Sequence, residues 1–104
     1  MTSMFDLSGK VAVVSGASSG LGADAARAYA EYGADVALLA RRLERLETLG
    51  EEIRATGRRA LAIRCDVTSE ESCRNAVEKV VKAYGHIDIL LNNAGVAVRG
   101  GVDT

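Results

Sequence analysis

Residues 11–22 read Val-Ala-Val-Val-Ser-Gly-Ala-Ser-Ser-Gly-Leu-Gly and join an apolar run to a glycine-rich segment. The apolar run 11–14 predicts a buried strand, which feeds a glycine-rich turn and then an alanine-rich helical pattern. Such a turn points backbone N–H groups and a helix N-terminus at one place, where a phosphate can bind. Gly16 allows the tight turn, Gly20 allows close approach of a pyrophosphate, and Gly22 allows the helix to pack on the strand. The stretch therefore predicts a nucleotide-binding strand-turn-helix unit.

Outward from this unit, short apolar runs alternate with longer amphipathic ones. Strands are predicted over residues 10–15, 35–40, 60–65 and 87–92, and helices over 20–32 and 43–56. A third helix is predicted to begin at a capping box of Thr68 and Glu71 and to end at Gly85. Strands joined by helices of this length lie parallel. The order β-α-β-α-β-α-β predicts an α/β protein with a doubly wound, Rossmann-like parallel sheet.

Helical spacing also predicts which side chains face the core. For the three helices in turn, the predicted inward residues are Leu21, Ala25, Ala26 and Tyr29; Leu43, Leu46, Leu49 and Ile53; and Cys73, Ala76, Val77, Val80, Val81 and Tyr84.

Composition narrows the possible functions of the 104 residues. Hydrophobic residues make up 48% of the chain, as in a packed domain, and 13 basic residues nearly balance 14 acidic ones. This balance disfavours nucleic acid and membrane surfaces as partners, and no export signal or spanning segment is visible. A cytoplasmic location is the default expectation. Cys65 and Cys73 are expected to be buried free thiols, and His86 a surface loop residue.

In a doubly wound sheet, ligands bind beyond the C-terminal ends of the strands. The glycine turn follows the first strand, and small, polar or charged residues follow the other three. These are Ala40, Arg41 and Arg42 after the second strand, Asp66 and Val67 after the third, and Asn92, Asn93, Ala94 and Gly95 at the fourth. The spacing G-x-x-x-G-x-G differs from the common dinucleotide fingerprint, and taken alone it also fits an ordinary strand-to-helix turn.

The end of the second strand bears on the choice of cofactor. NAD sites usually place an acidic residue there for the ribose 2′-hydroxyl, whereas this chain has Ala40 followed by Arg41 and Arg42. Positive charge suits a 2′-phosphate, so NADP(H) is preferred, with NAD(H) as the alternative. Asp66 fits either a turn before the third helix or a hydrogen bond to an adenine amino group. Asn92 and Asn93 fit either a cofactor site or a turn.

Together these residues resemble the short-chain dehydrogenase/reductase family. The resemblance rests on the glycine turn (close to the family's T-G-x-x-x-G-x-G), Cys65-Asp66-Val67, and the intact N-N-A-G motif at residues 92–95. It implies hydride transfer between NAD(P)(H) and a small carbonyl or secondary alcohol substrate. The cofactor-binding residues that it implies are Gly16, Ser18, Ser19, Gly20, Leu21, Gly22, Arg41, Arg42, Asp66, Val67, Asn93, Ala94 and Gly95.

The family's catalytic residues, a serine and a Tyr-x-x-x-Lys pair, have no counterpart here. Four residues after Tyr29, Tyr32 and Tyr84 stand Gly33, Val36 and Asp88. Residues 1–104 are therefore expected to be the cofactor-binding domain, truncated after the fourth strand and inactive alone. A non-catalytic nucleotide-binding or dimerisation module is the alternative. The apolar fourth strand would leave an open edge, so we expect low stability or self-association into a homo-oligomer.

Overall fold

The computed structural model describes residues 6–18 and 20–92. Four strands alternate with three helices, in the order predicted. They are β1 (Val11–Ser15), α1 (Gly20–Glu31), β2 (Asp35–Ala40), α2 (Leu43–Arg54), β3 (Ala60–Arg64), α3 (Glu70–Tyr84) and β4 (Ile89–Asn92). The predictions for Ser19, Asn93, Ala94 and Gly95 lie outside the described residues.

The four strands form one parallel sheet in the order β3-β2-β1-β4. The register pairs Ser15 of β1 with Leu39 of β2 on one side and with Asn92 of β4 on the other. Ala40 of β2 pairs in turn with Arg64 of β3. All four C-terminal strand ends therefore lie along one edge, and the predicted α/β doubly wound class is confirmed.

Both faces of the sheet are covered, which explains the continuous apolar runs of the strands. On one face, Ala12, Val14 and Leu38 pack with residues of α1 and α2. On the other face, Val13 and Ile63 pack with residues of α3. Every residue of β1 is buried because this strand lies inside the sheet between two neighbours.

Two helices end where the sequence predicts, at glycines with left-handed backbone. Gly33 has φ +108° and Gly85 has φ +91°, a region that side chains with a Cβ rarely occupy. The N–H of Gly85 donates to the carbonyl of Val81 at 2.7 Å and closes the last turn of α3.

The predicted capping box of α3 is wrong by one residue. The N-cap is Ser69, whose hydroxyl accepts a hydrogen bond from the N–H of Ser72 at 3.1 Å. Thr68 instead donates its hydroxyl to Asp66 Oδ1 at 2.7 Å, so it belongs to the preceding turn. With Ser69 as the cap, Glu71 stands one position too early to complete a box.

Four of the predicted core positions are exposed. Leu21 retains 76% of its surface, since the buried stripe of α1 runs through Gly22, Ala26 and Ala30 instead. These small residues at a spacing of four let α1 lie close to the sheet. The other three are Leu43 at the start of α2, and Val77 and Val81, which lie beside the buried pair Ala76 and Val80 of α3.

Candidate functional site

The candidate site lies where the direction of chain winding reverses. The chain winds outward from β1 through β2 to β3, and α3 then carries it back to β4 on the far side of β1. Ligands of doubly wound sheets bind in the crevice at this switch point, beyond the C-terminal strand ends. The glycine turn follows β1 directly, so it lies at the switch point.

The conformation of the glycine turn accounts for its glycines. Gly16 has φ +69°, which confirms the tight turn predicted at this position. Ala17 is fully buried, and its N–H donates to the carbonyl of Leu39 at 3.2 Å, so the turn is fixed to the end of β2. A Cβ added at Gly20 would meet nothing within 4 Å, which leaves space beside the first turn of α1. Gly22 is buried, as helix packing requires.

A hydrogen bond links the ends of the two strands at the switch point. The hydroxyl of Ser15, which is buried, donates to Oδ1 of Asn92 at 2.9 Å. The hydroxyl of Ser15 thus ties the side chain of Asn92 to the end of β1. Asn93, Ala94 and Gly95 follow it outside the described residues.

Arg41 and Asp66 meet although they follow different strands. Arg41 Nε lies 3.6 Å from Asp66 Oδ1. The same oxygen accepts hydrogen bonds from the N–H and the hydroxyl of Thr68, at 3.0 and 2.7 Å. The hydroxyl of Thr68 and then its N–H, with a further contribution from Arg41, lower the pKa of Asp66. The turn role considered for Asp66 is therefore present, and its carboxylate favours the ionised form.

The other predicted site residues lie beside these two. Arg42 is the N-cap of α2, is exposed, and makes no side-chain capping bond. Val67 is half-buried against the cluster beneath α3. Leu21 and Ser18 flank the turn, Leu21 on the exposed side of α1 and Ser18 half-buried.

Two basic residues near the turn were not predicted as site residues. Arg27 and Arg45 line a cleft of about 270 Å³ together with Ala17 and Ser18 of the glycine turn. Arg45 lies in the first turn of α2, three residues after the N-cap Arg42. No spacing in the sequence marks Arg45, because its place beside the glycine turn depends on the packing of α2.

Other polar features lie away from this edge. A groove of about 650 Å³ near the N-terminal strand ends is lined by Tyr32, Gly33 and Arg58, among others, and by none of the predicted site residues. His86 is exposed, as predicted, and its Nε2 lies 2.9 Å from Asp88 Oδ2. Within residues 6–18 and 20–92 there is no cluster of metal-ligating side chains and no helix long and apolar enough to span a membrane.

Both cysteines are free, as predicted, and one of the two is fully buried. Cys65 is buried, Cys73 is half-buried, and neither forms a disulfide. Burial first, and then the neighbouring Cys65, raise the pKa of the Cys73 thiol, so it stays protonated at neutral pH. This supports the prediction that the thiols serve packing rather than nucleophilic chemistry.

A parallel sheet with a glycine turn at its switch point defines a nucleotide-binding α/β protein. Residues 10–103 match the sequence model of the short chain dehydrogenase family. The chain belongs to the short-chain dehydrogenase/reductase family.

Individual relatives agree with this assignment. An 11-beta-hydroxysteroid dehydrogenase of Pinus massoniana is 42% identical over 88% of this chain, which covers 26% of that protein. The L-sorbose reductase of Gluconobacter frateurii, solved with NADPH and L-sorbose, is 38% identical over 94% of this chain and 37% of its own, with a TM-score of 0.84. A xylitol dehydrogenase solved with NAD⁺ is 42% identical over 86% and 35% of the two chains, with a TM-score of 0.83. The chain spans between a quarter and two fifths of the length of these relatives.

Proposed function

We propose that this chain is the cofactor-binding part of an oxidoreductase that moves a hydride between NADP(H) and a small carbonyl or secondary alcohol. The bound nicotinamide would supply the hydride, and the residues of this chain would bind and orient the cofactor. The assigned contacts are Gly16, Ser18, Ser19, Gly20, Leu21, Gly22, Arg41, Arg42, Asp66, Val67, Asn93, Ala94 and Gly95.

The observation that carries the proposal is the shared edge of the sheet. Register and hydrogen bonds bring the glycine turn, Arg41 and Asp66 to neighbouring positions along it. The open space beside Gly20, at the N-terminus of α1, suits a pyrophosphate. No carboxylate follows β2, and Arg41 and Arg42 offer the positive charge that a 2′-phosphate requires.

The preference for NADP(H) rests on these arginines rather than on the relatives. One related structure was solved with NADPH and another with NAD⁺, so the family accommodates both cofactors. The Nε atom of Arg41 lies 3.6 Å from Asp66 Oδ1, and 69% of the Arg41 side chain is exposed. An exposed guanidinium group of this kind is accessible to a phosphate.

Catalysis is assigned to groups outside these 104 residues. Tyr84, which has Asp88 rather than a lysine four residues after it, donates its hydroxyl to the carbonyl of Val36 at 3.1 Å, near the N-terminal end of β2 and away from the proposed site. We therefore propose that the 104-residue chain binds the cofactor without turning it over. Oxidation of NADPH by this chain with carbonyl substrates would refute that statement.

Titration of NADPH and NADH against the purified protein tests the proposed cofactor site. We expect NADPH to bind roughly tenfold more tightly or better, since a charge-assisted hydrogen bond contributes about 1.5–3 kcal/mol. Arg41→Asp should narrow or reverse this difference. The matched control is Lys79→Asp, which makes the same change in charge at an exposed position of α3. This variant should leave the difference in affinity between NADPH and NADH unchanged. Equal affinities in the unmodified protein would overturn the preference for NADP(H).

A further inference from the structure

The ion pair between Arg41 and Asp66 joins two segments that the sheet already holds in place. Arg41 directly follows β2, and the N–H of Cys65 donates to the carbonyl of Ala40 at 2.8 Å. The backbones beside both side chains are therefore fixed before any ligand arrives. Only the long side chain of Arg41, with 69% of its surface exposed, is left to be positioned.

Asp66 is held from the side of α3. Its N–H donates to the hydroxyl of Ser72 at 2.9 Å, and its Oδ1 accepts both hydrogen bonds from Thr68. Ser72 is itself fixed, because its N–H donates to the N-cap hydroxyl of Ser69. The capping turn of α3 thus sets the orientation of the Asp66 carboxylate.

The geometry of the pair leaves Arg41 competent for a second anion. Asp66 approaches Nε, on one side of the guanidinium group, and 69% of the Arg41 side chain remains exposed. Guanidinium groups bind phosphate through paired N–H donors. Holding an arginine side chain in one orientation before binding reduces the entropy that association costs.

We propose that Asp66 is a positioning residue for Arg41 and thereby a determinant of selectivity for NADPH over NADH. This inference rests on the proposed function, in which Arg41 holds the 2′-phosphate. Selectivity distinguishes two possible roles of Asp66, contact with adenine and positioning of Arg41, which a loss of NADPH binding alone would not distinguish. Adenine occurs in both cofactors, so losing an adenine contact weakens both equally, whereas losing the position of Arg41 weakens NADPH selectively.

The test measures dissociation constants of NADPH and NADH for the unmodified protein, Asp66→Ala, Arg41→Ala and the double variant. The selectivity ratio is the constant for NADH divided by that for NADPH. We expect Asp66→Ala to lower this ratio about three- to fivefold, the range set by the modest energy of an exposed ion pair. In the Arg41→Ala background, adding Asp66→Ala should leave the ratio unchanged, because nothing remains to be positioned.

Two further variants test whether the change in selectivity is specific to the pair of Asp66 and Arg41. Thr68→Val removes one of the hydrogen bonds that hold Asp66 and should lower the ratio in the same direction by a smaller factor. Asp35→Asn disrupts the ion pair between Asp35 and Arg59, which lies at the N-terminal ends of β2 and β3, and should leave the ratio unchanged.

The outcomes distinguish the inference from the proposed function. Selectivity that is present in the unmodified protein and unchanged by Asp66→Ala would overturn the inference and leave the proposed function standing. A ratio that rises would also overturn it, since Asp66 would then compete with phosphate for Arg41. Absence of selectivity in the unmodified protein would refute the proposed NADP(H) site itself.

Discussion

At the level of single residues, two Asp–Arg ion pairs lie at opposite ends of β2 and β3 and differ in their surroundings. Asp35 meets Arg59 at 2.6 Å, and the guanidinium of Arg59 lies 4.6 Å from the centre of the Tyr84 ring. Asp66 meets Arg41 at a looser 3.6 Å, where Arg41 is largely exposed. The first pair is suited to stabilising the fold. The second leaves its arginine available to a ligand.

The Asp35 pair should make the stability of the fold depend on pH. The hydrogen bonds from Arg59 lower the pKa of Asp35, and only 19% of the Asp35 side chain is exposed. A carboxyl whose pKa is lowered by folding contributes stability above its unfolded value, about 3.9, and loses it as the pH falls through the folded value. Asp35→Asn should therefore reduce the free energy of unfolding by about 1 kcal/mol at pH 7, since Arg59 is exposed and screened by solvent.

Urea denaturation at pH 7 and near pH 2 measures this contribution. The difference between the unmodified protein and Asp35→Asn should be present at the first pH and absent at the second. Glu52→Gln removes the more exposed pair with Arg27 and should have a smaller effect. An equal difference at both pH values would show that Asp35 acts through packing rather than charge.

At the scale of secondary-structure elements, sequence reasoning located all seven but misplaced details that depend on tertiary contacts. Glycine positions and apolar runs determined the order of helices and strands, because they act through local backbone freedom and burial. The N-cap of α3 was misplaced because Thr68, which has the right chemistry for a cap, is drawn into the turn by Asp66. Leu21 was wrongly predicted to face the core, because helical spacing alone does not show which of two adjacent rows of side chains on α1 faces the sheet.

The exposed side chains of α3 and β4 lead to a prediction about self-association. Among residues 6–18 and 20–92, β4 pairs only with β1 and forms an edge of the sheet. Leu90 on this strand is exposed, as are Val77 and Val81 of α3. An exposed apolar edge strand promotes pairing with a second copy. We expect the purified chain to self-associate, and Leu90→Lys to shift it toward the monomer.

Sedimentation velocity over a range of concentrations measures this behaviour. Leu43→Lys changes an exposed leucine at the start of α2, away from β4, and should leave the association unchanged. A monomer at all concentrations, or an equal effect of the two variants, would contradict a role for the β4 edge.

At the scale of the whole molecule, the alternating pattern of the sequence was sufficient to predict the sheet and the edge that carries the site. Parallel strands need crossover helices, and this requirement places all four C-terminal ends together. The sequence could not predict that Arg41 and Asp66 pair, because their contact depends on the register of β2 and β3 and on the capping turn of α3. The sequence also could not predict that Arg45 lies beside the glycine turn, because this position follows from the packing of α2.

Titration of the ¹⁵N-labelled chain with NADPH, followed by backbone amide resonances, tests the central claim most directly. The claim is that the C-terminal edge of the sheet holds the cofactor. We predict that the shifted resonances include those of Gly16, Gly20, Arg41 and Asp66, whereas Gly33, in the groove at the opposite edge, stays unchanged. Shifts confined to that groove, or no shifts at saturating NADPH, would contradict the claim.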